Sequence, residues 1–186
     1  MVIAIIVIVV LLVVLALVLI GVNNSMIAAR NRVDESWSGI DVQLKRRHDL
    51  VPNLVETVKG YATHEREVFE KVTAARAEAT KAHTPAESAQ KEGQLTAALT
   101  DLRAVAENYP DLRATENFQK LQNELTEIED EIQAARRIYN SNVQAYNTKI
   151  QVFPNSILAN SRGFTQREFF EIEDAGDREP VQVSFS

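Results

Sequence analysis

Residues 1–20 are apolar without exception, and Gly21 and Val22 extend the run. No charged or hydrogen-bonding side chain interrupts it. About 20 apolar residues in a helix cross a hydrocarbon core about 30 Å thick. In such a medium the backbone must satisfy its own polar groups, which a helix does. The run is too long for a signal-peptide h-region, has no basic side chain before it, and ends at Val22-Asn23-Asn24-Ser25, a poor cleavage site. Residues 1–22 are therefore expected to be an uncleaved transmembrane anchor in contact with lipid. Arg30 and Arg32 follow the anchor closely, and Lys45, Arg46 and Arg47 come later. Cytoplasmic flanks favour Lys and Arg, so the N-terminus is expected outside and the body in the cytoplasm.

The remaining sequence reads as long amphipathic helices. From Val33 onward apolar residues recur at Trp37, Ile40, Leu44, Val51, Leu54, Val58, Tyr61, Val68 and Val72, the period of a helix with one buried stripe. Arg47 and Glu65 fall on the stripe. Pro52 and Gly60 lie inside it, yet the phase continues, which predicts one bent helix over residues 25–81. The alternative is a break near Pro52. Thr84-Pro85-Ala86-Glu87 is a helix start: a capping Thr, a proline at the first position and a Glu completing a capping box. That helix carries Leu95, Leu99, Leu102 and Val105 and is expected to stop near Asn108, before Tyr109-Pro110. A third helix begins near Thr115. Its stripe runs through Phe118, Leu121, Leu125, Ile128, Ile132, Ala135, Tyr139, Val143, Tyr146, Ile150 and Phe153, and Pro154 ends it. Residues 155–160 suit a short helical turn, and 171–186 read as an acidic, mobile tail.

No strand–helix alternation is present. The expected fold is all-α: the transmembrane helix, then an up-and-down antiparallel bundle of three long helices, or four if the first breaks near Pro52, and a short C-terminal extension. The domain reading is residues 1–22 as anchor, 23–160 as bundle and 161–186 as extension.

Chemistry is sparse. The chain has no cysteine, which removes disulfides, thiolate metal sites and cysteine nucleophiles. A net charge of −6 argues against nucleic acid as a partner. There is no P-loop, GxGxxG, GxSxG or HExxH. His48, His64 and His83 are too widely spaced along a helix to share a metal, and no Glu-x-x-His motif precedes them. No cofactor and no small-molecule substrate is implied. The acids Glu127, Glu129, Asp130 and Glu131 are expected to form a wet face that pairs with Arg136 and Arg137. A hydrolase built on them would lack a nucleophile, a metal and an oxyanion hole together.

The candidate interaction residues are of two kinds. Lys45, Arg46 and Arg47 form the one basic run. They would touch lipid headgroups only if the helix bent down, so pairing with acids on neighbouring helices is favoured. Trp37 sits on the apolar stripe, too far from the anchor for an interfacial belt. Tyr139-Asn140 and Tyr146-Asn147 repeat at two helical turns and suit a packing or assembly device. Phe164, Phe169 and Phe170 follow the bundle and either fold back over its end or make an interface.

Several of these segments resemble the LemA family. The resemblance lies in Arg30-Asn31-Arg32-Val33-Asp34-Glu35, Trp37, the stretch from Ile40 through Val55 that includes Lys45-Arg46-Arg47-His48-Asp49-Leu50-Val51-Pro52-Asn53-Leu54, and Val58-Lys59-Gly60-Tyr61 with His64-Glu65. It continues in Asn117-Phe118, Leu121-Gln122, Glu124-Leu125, the two Tyr-Asn pairs, Phe153-Pro154, Gly163-Phe164 and Phe170. It implies a bacterial, single-pass, N-terminally anchored protein with a helical-bundle body and no established enzymatic activity. It also implies a role in membrane organisation, including magnetosome membrane formation. The partners it implies are a TPM-domain protein or a membrane metalloprotease; the long lateral helix surfaces and the three phenylalanines suggest further copies of the chain as well.

Overall fold

In the computed structural model, residues 1–171 are described. Among them there are helices and no strand: α1 Val2–Lys59, α2 Arg66–Ala79, α3 Pro85–Glu107, α4 Pro110–Arg113, α5 Glu116–Gln151 and α6 Asn155–Arg162. The chain is all-α, with the apolar run at the start of α1. Residues 1–21 are exposed throughout, as a lipid-facing helix requires. The expected tail lies, beyond Glu171, outside the described residues.

Two compact units share the chain. One contains Met1–Ile40 and Ala135–Glu168; the other is built on Asp41–Ala134, to which the chain returns at Phe169. In the first, α5 runs antiparallel to α1. Asn142 Nδ2 donates to Arg32 O at 3.5 Å, and Lys149 Nζ donates to Ser25 Oγ at 2.9 Å. The core of this unit holds Met26, Val33, Ile40, Tyr139, Val143, Tyr146 and Ile150. In the second, α2 and α3 pack antiparallel, with Lys71 paired to Asp101 and Lys91 to Glu78. Leu54, Val58, Val72, Leu95, Leu102, Leu112 and Ile128 fill its core.

The helix break falls at Gly60, eight residues after Pro52. Pro52 sits inside α1, which continues to Lys59. Proline has no N–H for the carbonyl four residues earlier, that of His48. Arg76 on α2 supplies the missing donor: its Nε donates to His48 O at 2.6 Å. The chain instead leaves the helix at Gly60, a residue that weakens a helix interior, and the Tyr61 and Ala62 N–H groups close the end on Val58 O. A single helix over 25–81 is therefore not formed. The interruption resets the phase, so Ala62 and Phe69 are buried while Tyr61 is 46% exposed.

The start of α3 has the expected Thr cap and first-turn proline, but the Glu87 carboxylate reaches the residue before the cap and not the cap itself. Thr84 accepts from the Glu87 N–H, proline stands in the first turn, and Glu87 Oε2 accepts from the His83 N–H. α5 ends at Gln151, two residues short of Phe153, which the stripe had included and which is 80% exposed. Once the helix stops, its period no longer dictates which way Phe153 faces. α6 ends at Gly163, whose φ of 70° is the left-handed cap that glycine adopts without a Cβ penalty.

Candidate functional site

In the first unit, α5 holds the segment after α6 against itself. Tyr139 and Tyr146 are two turns apart on the buried face of α5, so both phenols point the same way. The Tyr139 hydroxyl donates to Glu168 O at 2.8 Å, and the Tyr146 hydroxyl to Thr165 O at 3.0 Å. Between them Asn147 makes a two-way amide pair. Its Nδ2 donates to Arg167 O at 2.9 Å, and its Oδ1 accepts from the Arg167 N–H at 2.8 Å. An asparagine thus does for residues 165–168 what a partner strand would do. The Arg167 guanidinium then reaches Asp34 on α1 at 2.8 Å. Trp37, half-buried, lies against Tyr139 with ring centroids 5.5 Å apart and planes tilted by 57°. Asn140 is half-buried beside it. Arg30 stacks over the ring of Phe164 at 5.6 Å.

These phenols are donors and not acids. Burial pushes Tyr139 up to about 12, against the opposing pull of Arg167, with Glu168 and Asp34 adding to the rise. Burial raises Tyr146 as well. Both stay protonated at neutral pH, as their hydrogen bonds to carbonyl oxygens require.

The second unit contains a buried charge cluster. Arg47 and Glu92 are each 2% exposed and meet at 3.2 Å between Nη1 and Oε2. The Arg47 Nη2 reaches Glu129 at 3.0 Å and donates to Thr96 Oγ1 at 2.7 Å. The other Glu92 oxygen lies 2.6 Å from His48 Nε2. One guanidinium thus joins α1, α3 and α5. Burial raises the Glu129 carboxyl above the usual range, Arg47 pulls it down, and Glu92 and Asp130 push it up. Breaking such a pair from one side strands a buried charge, which is costly; the arrangement fixes which helix faces meet.

The basic run is therefore split. Lys45 and Arg46 are exposed, Arg46 donating to Gln43 at 3.0 Å, while Arg47 is in the core. The acidic cluster is split as well. Glu127, Asp130 and Glu131 stay on the exposed face, but Glu129 turns inward to Arg47. The three phenylalanines also differ: Phe170 is buried, Phe164 half-buried and Phe169 at the surface. Glu92, Thr96, Arg76 and the Asp34–Arg167 pair were not singled out from sequence. Glu92 had a signal. It stands three residues before Leu95 on the α3 stripe, as Arg47 stands on the α1 stripe, and two opposite charges on two buried faces are a pair in waiting. Among the described residues no group of three or more His, Asp or Glu side chains could hold a metal ion.

Two magnetosome proteins of Paramagnetospirillum magneticum, MamQ 2 and MamQ 1, are each 27% identical to this chain over 180 residues, covering 83% of it. The chain spans 66% of the length of each, just under two thirds. Protein LemA of Metamycoplasma hominis is 26% identical over 170 residues, covering 91% of this chain and 76% of the relative. The apolar stretch at the start of α1 makes that helix long and apolar enough to cross a membrane. The LemA family model matches residues 36–185, most of the sequence, and the chain accordingly belongs to the LemA family.

Proposed function

We propose that this protein is a membrane-anchored helical scaffold that self-associates and organises the membrane it sits in, with no reaction of its own. The observation that carries this reading is the continuity of α1. One 58-residue helix, about 85 Å long, passes from the apolar run into the folded body with no linker between them. A catalytic domain on a tether needs no such continuity; a part whose placement over the bilayer matters does. The buried ion cluster and the Tyr–Asn strap support the reading, because both fix helix positions and neither presents a reactive group to solvent. The magnetosome relatives support a role in membrane organisation. The basic residues after the anchor support an outside N-terminus and a cytoplasmic body in a bacterial cell membrane. Partners are further copies of the chain. An envelope partner such as a TPM-domain protein or a membrane metalloprotease would make it an adaptor instead.

Crosslinking and light scattering on the detergent-extracted full-length protein test the proposal. Self-association predicts a particle several times the monomer mass that dissociates on dilution. A monomer at every concentration overturns the self-assembling scaffold.

A further inference from the structure

Three large apolar side chains, two just after α5 and one in α6, are left uncovered by the first unit. Phe153 is 80% exposed, Ile157 66% and Val152 47%. Large apolar side chains grouped this way mark a contact surface. Their height relative to the anchor follows from two contacts. Asn142 meets Arg32 and Lys149 meets Ser25, so seven residues forward on α5 correspond to seven residues back on α1. Continuing that register brings Gln151, the last residue of α5, level with Asn23, the first residue past the apolar run, and Val152 and Phe153 follow it directly. Burial along α1 agrees: residues 1–21 are exposed, and cover begins at Val22 and Asn23.

We propose that Val152, Phe153 and Ile157 form a second membrane contact, seated in the interfacial layer of the leaflet from which the anchor emerges. The occupant is lipid because the cluster is continuous in height with the membrane-spanning segment. Lys149 stands about one turn above it, bonded to Ser25, at the level where headgroup phosphates attract a cation. An apolar wedge under a basic residue is the pattern of an interfacial anchor. The consequence is mechanical. A body attached at one point swings about its stalk, whereas two attachments on adjacent helices set its tilt. The inference rests on the membrane-spanning reading of residues 1–22.

The sequence has no cysteine, so single cysteines can carry a nitroxide label. The full-length variants Phe153→Cys, Ile157→Cys, Leu12→Cys and Ile138→Cys are reconstituted in vesicles of phosphatidylcholine and phosphatidylglycerol. Collision rates with oxygen and with a water-soluble nickel chelate then report depth. Ile138 is 60% exposed on the same helix as the cluster's approach, about 20 Å back along it, and is the aqueous reference. All four positions are exposed, so folding is preserved, and circular dichroism checks it. Labels at 153 and 157 are expected about 5–10 Å below the headgroup plane, with Leu12 deep and Ile138 in water. Labels at 153 and 157 that match Ile138 while Leu12 reads lipid overturn the second contact alone. A label at Leu12 that also reads water overturns it together with the anchor. Protection from both reagents with spin–spin broadening assigns the cluster to a second copy and overturns the lipid assignment.

Discussion

Arg76 on α2 donates to the carbonyl of His48 on α1, the one acceptor that Pro52 leaves without its helical partner. A proline inside a helix removes a backbone bond, and here a neighbouring helix restores it. The expected outcome of Arg76→Met is a loss of about 1–3 kcal/mol, the cost of an unsatisfied polar group. In a Pro52→Ala background the alanine N–H fills the acceptor, and the same substitution should cost clearly less. Thermal unfolding of the four proteins in detergent measures the coupling; equal costs in both backgrounds would contradict it.

Glu92 faces Arg47 in the core with 2% exposure on each side. Glu92→Leu should destabilise by about 3 kcal/mol, near the low end for a broken buried pair because Glu129 still faces the guanidinium. Replacing both partners, Arg47→Met with Glu92→Leu, should recover most of that loss, since the stranded charge is gone. Denaturant midpoints of the single and double variants decide it.

Glu129 carries a pH dependence of definite sign. Burial raises its folded-state value above the ordinary 4.5. The folded protein then holds a proton that the unfolded chain has released, so stability falls as pH rises from the ordinary value through the raised one. Below the ordinary value both states are protonated and the effect is flat. In Glu129→Gln the melting temperature should fall less over that window than in the parent. An unchanged profile would count against the burial of this carboxyl.

Tyr139 is pushed up to about 12 by burial. Ultraviolet titration should show a phenol ionising near that value, absent in Tyr139→Phe. Its sign is the same as for Glu129, so stability is lost as pH rises from about 10 toward 12.

Asn147 is the centre of the strap, holding both the N–H and the carbonyl of Arg167. Asn147→Ala should speed amide exchange at Arg167 by about tenfold or more, the equivalent of 1.4 kcal/mol or more for two lost bonds. Exchange at Val143, one turn back in the core, should hardly change.

Much of this architecture was written in local sequence. The apolar run, the Thr84–Glu87 cap, the stop near Asn108 and the long α5 depend on neighbours within a few residues, and helix chemistry acts at that range. The boundary at Gly60 was missed because a continuing hydrophobic phase masked a weak helical stretch, while Pro52, the stronger local breaker, was rescued from α2. α4, four residues long, left too little periodicity to be seen.

The sequence by itself determined that the chain is helical, that it carries a segment long and apolar enough to cross a membrane, and that it lacks the motifs of common enzymes. Composition and period are properties of segments, and they need no partner to be read. Tertiary structure alone decided which polar residues meet. Arg47 was expected to pair with acids on a neighbouring helix, but not with which ones, and Glu129 was read as part of a wet acidic face; they are paired because α1 and α5 bring residues 82 positions apart to 3.0 Å. Tyr139, Tyr146 and Asn147 announced a repeated buried polar feature, but not that its partners would be the backbone of residues 165–168. A side chain's burial depends on the register between helices, and that register is set by contacts distant in sequence.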